Sequence, residues 1–201
     1  SQSEEASDLF DDGDITHKLE LIGLFGEHKA DLTRIKISGG TNPHVVAFDH
    51  WGGKSMWDGR TGKRLWGHFP SNPGRIIHTL AVDFSPDGTS FTSGLDQSLL
   101  TSHVANGSRD KSFHEPGVKR YYFTKAGFSA DNLYIAAYDQ LTGKTRVWDH
   151  ENGELIHNLD TSCGLSWNIS FSLHNDKIVN ICHQAITIWD ALSGKELEKI
   201  R

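Results

Sequence analysis

Arg146-Val147-Trp148-Asp149-His150-Glu151-Asn152-Gly153 ends an alternating apolar run with a Trp-Asp pair, then turns on a glycine. The same events recur at Trp57-Asp58 with Thr61-Gly62, and at Trp189-Asp190 with Ser193-Gly194. Between the first two, Ser102-His103 stands in the place of Trp-Asp, and Asn106-Gly107 supplies the turn. The four positions are spaced 45, 46 and 41 residues apart. A second marker keeps step with them. Ile37-Ser38, Phe84-Ser85, Phe128-Ser129 and Phe171-Ser172 each close a short alternating strand, with the serines 47, 44 and 43 residues apart. Two independent markers in register define an internal repeat of one supersecondary unit.

Each unit reads as four short strands. In the second they are Thr79–Ser85, Ser90–Gly94, Leu99–His103 and Arg109–Phe113, separated by turn residues. In the last they are Trp167–Ser172, Lys177–Cys182, Ala185–Asp190 and Glu196–Arg201. Ser85-Pro86-Asp87-Gly88 and Ser129-Ala130-Asp131-Asn132 are good hairpin turns. No stretch sustains a 3.6-residue apolar period, so the fold class is all-β with very little helix.

Composition agrees. The 201 residues hold ten Phe, six Trp and four Tyr against one Met, with 20 Gly for tight turns. Twenty basic and 26 acidic side chains give a formal charge of -6, which argues against a nucleic-acid binder carried by bulk charge. No run of 18 apolar residues spans a membrane, and no charged-then-apolar signal segment opens the chain. Two cysteines make no disulfide framework, so a reducing, cytoplasmic compartment is expected, with the nucleus as the other candidate. Cys163 and Cys182 fall in one unit, with their redox state open. Asn106-Gly107-Ser108 and Asn168-Ile169-Ser170 fit the glycosylation pattern, which matters only for a secreted chain.

These markers resemble the WD-repeat family of β-propellers, whose blades are four-stranded antiparallel sheets. Gly67-His68 matches the family's Gly-His opening, and Glu27-His28 is a variant of it. The resemblance implies a buried network of an opening His, an Asp after the second strand, and the Trp. Carried over by position, it implicates His28, Asp49 and Trp57 in the first unit, and His68 and Asp96 with Ser102 in the second. The third has Asp139 and Trp148, with His114 as the candidate histidine; in the last, His183 precedes Trp189. Leu9-Phe10-Asp11 and the run Lys18–Phe25 read as the end of a preceding blade. The expected division is therefore residues 1–31 as that remnant, then four blades at about 32–70, 71–114, 115–160 and 161–201. WD-repeat propellers usually close with more blades than four. The chain is then a piece of a larger propeller, or two copies combine into an eight-bladed ring.

Enzyme motifs fail on their surroundings. Gly52-Gly53-Lys54-Ser55 looks like the tail of a phosphate-binding loop, but Phe48 replaces the first glycine and a strand end follows, not a helix. His114-Glu115 meets Pro116 and has no second histidine at 118, and no GxSxG elbow occurs. Asp11-Asp12-Gly13-Asp14 lacks the ligand alternation of a calcium loop. Asp58–Trp66 also resembles the tryptophan-docking repeat of quinoprotein dehydrogenases. The corresponding positions Lys111, His157 and Lys199 are not Trp, so a quinoprotein-like or other propeller enzyme is the alternative reading. Lys119-Arg120-Tyr121-Tyr122 interleaves base-stacking and phosphate-holding residue types on an otherwise acidic chain.

The expected function is a non-catalytic scaffold or sensor that binds a protein or peptide, without a cofactor or a metal. The resemblance places partners on the loops before each first strand and between the second and third. Those loops carry His50, Trp51, Arg75, Gln97, Lys119, Gln140 and His183, beside Asn72, Glu115 and Gln184; Thr33, Leu80, Thr124 and Trp167 enter the first strands. Trp51 and Trp167 are the leading candidates, because tryptophan carries a disproportionate share of interface energy.

Overall fold

The computed structural model describes residues 31–70, 79–95, 98–161 and 164–201. These residues form β-strands and turns, with no helix among them. The first sheet comprises β1 (Leu32–Ile37), β2 (His44–Asp49), β3 (Lys54–Asp58) and β4 (Arg64–His68), hydrogen-bonded in that order. The second contains β5 (Ser90–Leu95), β6 (Ser98–His103) and β7 (Arg109–Phe113). In the third, β8 (Phe123–Phe128), β9 (Tyr134–Asp139), β10 (Lys144–Asp149) and β11 (Leu155–Asp160) pair in sequence. The fourth is β12 (Ser166–Phe171), β13 (Lys177–Cys182), β14 (Ile186–Asp190) and β15 (Glu196–Ile200). All pairings are antiparallel, and the set is consistent with blades of a propeller-like fold. Residues 1–30, and with them all but the last residue of the expected remnant of a preceding blade, lie outside the described residues.

The second sheet has three strands because its expected first strand, Thr79–Ser85, does not form a ladder. A Val82 amide to Leu80 carbonyl bond of 3.2 Å kinks the segment. Thr92 then substitutes for the missing ladder. Its hydroxyl accepts from the Asp83 amide at 2.8 Å and donates to the Ala81 carbonyl at 3.1 Å. Only Phe84 bridges to β5, through Phe91.

Both sequence markers have a structural job. The marker serine accepts a hydrogen bond from the amide that starts the second strand: His44 to Ser38, Ser90 to Ser85, Tyr134 to Ser129 and Lys177 to Ser172, at 2.8–3.0 Å. The aspartate of each Trp-Asp pair receives amides from the turn that follows. Asp58 takes Arg60 and Thr61, Asp149 takes Glu151 and Asn152, and Asp190 takes Ser193. The tryptophan position coincides with a register shift against the outer strand in every sheet, at Trp57, Ser102, Trp148 and Trp189. A bulge leaves one residue unpaired and turns it out of the ladder. Leu65, Ile156 and Leu197 are those extra residues in three sheets, and all three are exposed.

Neighbouring sheets pack face to face, because successive side chains of a strand alternate between the two sides. Val46, Phe48 and Met56 meet Val82, Phe84, Phe91 and Val104 between the first and second sheets. Leu99 and Phe113 meet Phe123, Ile135, Ala137 and Trp148 between the second and third. Ala136, Val147 and Leu159 meet Ile169, Ile178 and Trp189 between the third and fourth. Turns at one end also bond across sheets. Asn132 Nδ2 donates to Asp87 at 2.7 Å, and the Ala130 amide donates to Asn175 at 2.7 Å, each spanning 45 residues. The far face of the fourth sheet carries Val179, Ile181, Ile186, Ile188 and Ile200, which pair across its strands.

Candidate binding rim

The opposite end is built by a repeated bond between two loops. The residue after each second strand donates its amide to the segment that leads into the first: His50 to Asp31, Gln140 to Tyr122 and His183 to Leu165, at 2.9–3.2 Å. His50, Trp51, Gln140 and His183 each sit in a loop anchored in this way, and Lys119 is exposed on the approach to β8. Arg75 and Gln97, with Asn72, lie outside the described residues.

The two tryptophans differ. Trp51 is half-buried in a turn whose amides at Trp51 and Gly53 both point at Asp49 Oδ1, at 2.9 and 2.7 Å. A Cβ at residue 53 would sit 2.2 Å from the Asp49 carboxylate, so only glycine closes this turn. Trp167 is 60% exposed on β12, and the His183 imidazole stands edge-on to it with ring centroids 5.9 Å apart. Leu165, two residues earlier, is 52% exposed. Rigid aromatic and aliphatic surface therefore concentrates at the fourth sheet's rim.

The residues expected to form His-Asp-Trp networks fall into two groups. Asp49, Trp57, Asp139, Trp148 and Trp189 are all buried. His68 is exposed, tilted against Trp66, with Nε2 2.8 Å from the Asn106 carbonyl. His114 is exposed as well, and the Trp148 indole nitrogen has no hydrogen-bond partner. His28 and Asp96 lie outside the described residues. In the third sheet the buried aspartate is met by an arginine instead. Arg146 Nη1 lies 2.9 Å from Asp139 Oδ2, and its Nε lies 2.8 Å from Glu115. The guanidinium carbon sits 5.0 Å from the Tyr121 ring centre, within cation–π range. Thr142 and the Tyr122 and Leu141 amides complete the Asp139 shell. Burial holds the Tyr121 phenol above its ordinary pKa.

This cluster uses up several groups that the sequence offered for recognition. Glu115 is committed to Arg146 and to Asn158, 3.1 Å away. Tyr121 is buried beneath the guanidinium, leaving Tyr122 as the half-exposed ring of the Lys119-Arg120-Tyr121-Tyr122 stretch. Arg146 had no signal in the sequence, where it read as one polar position in an alternating strand. Cys182 is a buried free thiol whose sulfur donates to the Ala185 carbonyl at 3.2 Å; Cys163 lies outside the described residues. Among the described residues no group of three His, Cys, Asp or Glu side chains could hold a metal ion. Nor is any helix among them long and apolar enough to cross a membrane. No protein-family model matches the chain, and no curated protein matches it either.

Proposed function

We propose that this chain is a non-catalytic recognition module of the WD-repeat kind, a segment of a larger β-propeller that binds a protein or peptide at its loop rim. The observation that carries the reading is the exposed Trp167, braced by His183 and continued by Leu165. An amphipathic ring held on a strand loses little conformational freedom on binding, which is why such residues anchor interfaces. The aliphatic far face of the fourth sheet supports the larger propeller, because it has the composition of the buried inter-sheet faces and would seat a further blade. Buried Asp139 supports a structural role for the charged cluster, since its acceptor capacity is filled by four donors. Removal of an anchor of this class costs about 2 kcal/mol or more of binding, a loss of roughly thirtyfold.

The test is affinity capture from cell extract with wild-type protein and Trp167→Ala, identifying the captured protein and measuring its affinity for each. A loss of tenfold or more, with circular dichroism and melting unchanged, supports the rim. Equal affinity of the two proteins for that partner refutes it.

A further inference from the structure

Trp148 and Trp189 each pack against the preceding sheet at the end of a third strand, and the second sheet has Ser102 at that position. Ser102 is buried, and its side chain is far smaller than an indole. It lines a cavity of about 270 Å³ between the first and second sheets. Phe48 forms one wall, and Lys54, Thr79, Ser93, Ser102 and Arg109 are its polar lining. The pairing register explains this grouping. Ser102 lies opposite both Phe91 and Arg109, and Ser93 lies opposite Leu100, so all point to one side of the sheet.

The charge in this cavity is one-sided. Lys54 Nζ donates to the Gly107 carbonyl at 2.6 Å and to Ser102 Oγ at 3.4 Å, and lies 5.8 Å from the Phe91 ring centre. Among the described residues no carboxylate lines the cavity, and neither cation makes an ion pair. Burial, and next the Arg109 charge, hold Lys54 below the usual lysine pKa. Two cations and three hydroxyls converge on a space that no carboxylate of the described residues lines.

We propose that this cavity binds a phosphoryl oxyanion, free or as the phosphate of a small monoester, with Lys54 and Arg109 as the charged contacts. Serine and threonine hydroxyls then donate to the remaining oxygens, and Phe48 walls off the inner side. Arginine and lysine both suit phosphate, the first through its planar fork and the second as a point charge. The glycine-lysine-serine stretch at 52–55 reaches this chemistry without the helix of a phosphate-binding loop; the lysine extends from a strand across an inter-sheet gap.

Inorganic phosphate is titrated calorimetrically into the protein at fixed ionic strength, with chloride as the comparator. Wild-type protein is expected to bind phosphate saturably, and Arg109→Gln, an exposed position, to bind at least tenfold more weakly. Ser102→Trp restores the repeat's own residue and is expected to abolish binding while retaining a cooperative melt. A parallel titration with O-phosphoserine separates the two sources: tighter binding than phosphate assigns an ester, and equal binding assigns the free ion. No saturable heat up to millimolar phosphate overturns the proposal, as does unchanged affinity in folded Arg109→Gln. Should Ser102→Trp fail to fold, the arginine variant alone decides.

Discussion

Replacing Arg146 by Met keeps most of the side chain's stem and removes the charge from the most buried ion pair among the described residues. The Arg146 and Asp139 side chains are 2% and 0% exposed, so neither end is relieved by water. Deleting one partner of such a pair costs about 3–5 kcal/mol, because the other charge is left buried and uncompensated. Asp139 keeps Thr142 and two backbone amides as donors, which places the expected loss near the lower end, about 3 kcal/mol. Each kcal/mol lowers the melting temperature of a chain this size by about 2–4 °C, so a fall of about 6–12 °C is expected. Urea unfolding of wild type, Arg146→Met, Asp139→Asn and the double variant completes a thermodynamic cycle. The double variant is expected to be more stable than the sum of the singles predicts, by about 1–3 kcal/mol, because it carries no orphaned charge. Strict additivity, or a loss below about 1 kcal/mol for Arg146→Met, would refute a buried pair at this site.

Two further outcomes follow from local geometry. Asp176 is held down to about 2 by its bond to Lys177 and then by Ser172, so its stabilising contribution is present above the ordinary carboxylate pKa and is lost as pH falls toward 2. Carboxyl titration by NMR should show that value rising in Lys177→Met, and a midpoint already at the ordinary carboxylate value in wild type would contradict the bond. Gly88 and Gly107 share a φ of +69°, but only Gly107 is crowded, with a Cβ landing 2.7 Å from the Trp66 ring. Gly88→Ala should therefore cost only the left-handed backbone penalty, about 1–2 kcal/mol, and Gly107→Ala clearly more; equal losses by chemical denaturation would show the Trp66 contact to be slack.

The repeat was legible because its markers are turn chemistry. A serine that caps a hairpin and an aspartate that gathers turn amides must recur wherever the same turn recurs, so their spacing exposes the sheet count directly. Alternation found the strands for the same reason. The first strand of the second sheet misled because Thr79–Ser85 has strand composition, and nothing in that composition shows Thr92 inserting its hydroxyl into the ladder. The Arg146 cluster was invisible for a different cause. It joins β10, the loop at Glu115 and the ring of Tyr121, which alternation alone cannot bring together. Ser102 was legible as a missing tryptophan, but the cavity beside it emerges only once Phe48 and Lys54 face it from another sheet.

The cross-sheet turn bonds have a consequence for tolerance to change. Asn132 and Asn175 both sit at positive φ, 64° and 58°, and each reaches the turn of the sheet before it. Lengthening the turn that holds Ala130 and Asn132 would break contacts in two neighbours at once, so that end behaves as a stitched seam. The loops at His50, Gln140 and His183, at the other end, each bond to the entry of their own sheet. New sequence grafted there could be accepted one loop at a time, leaving the seam to hold the sheets in register.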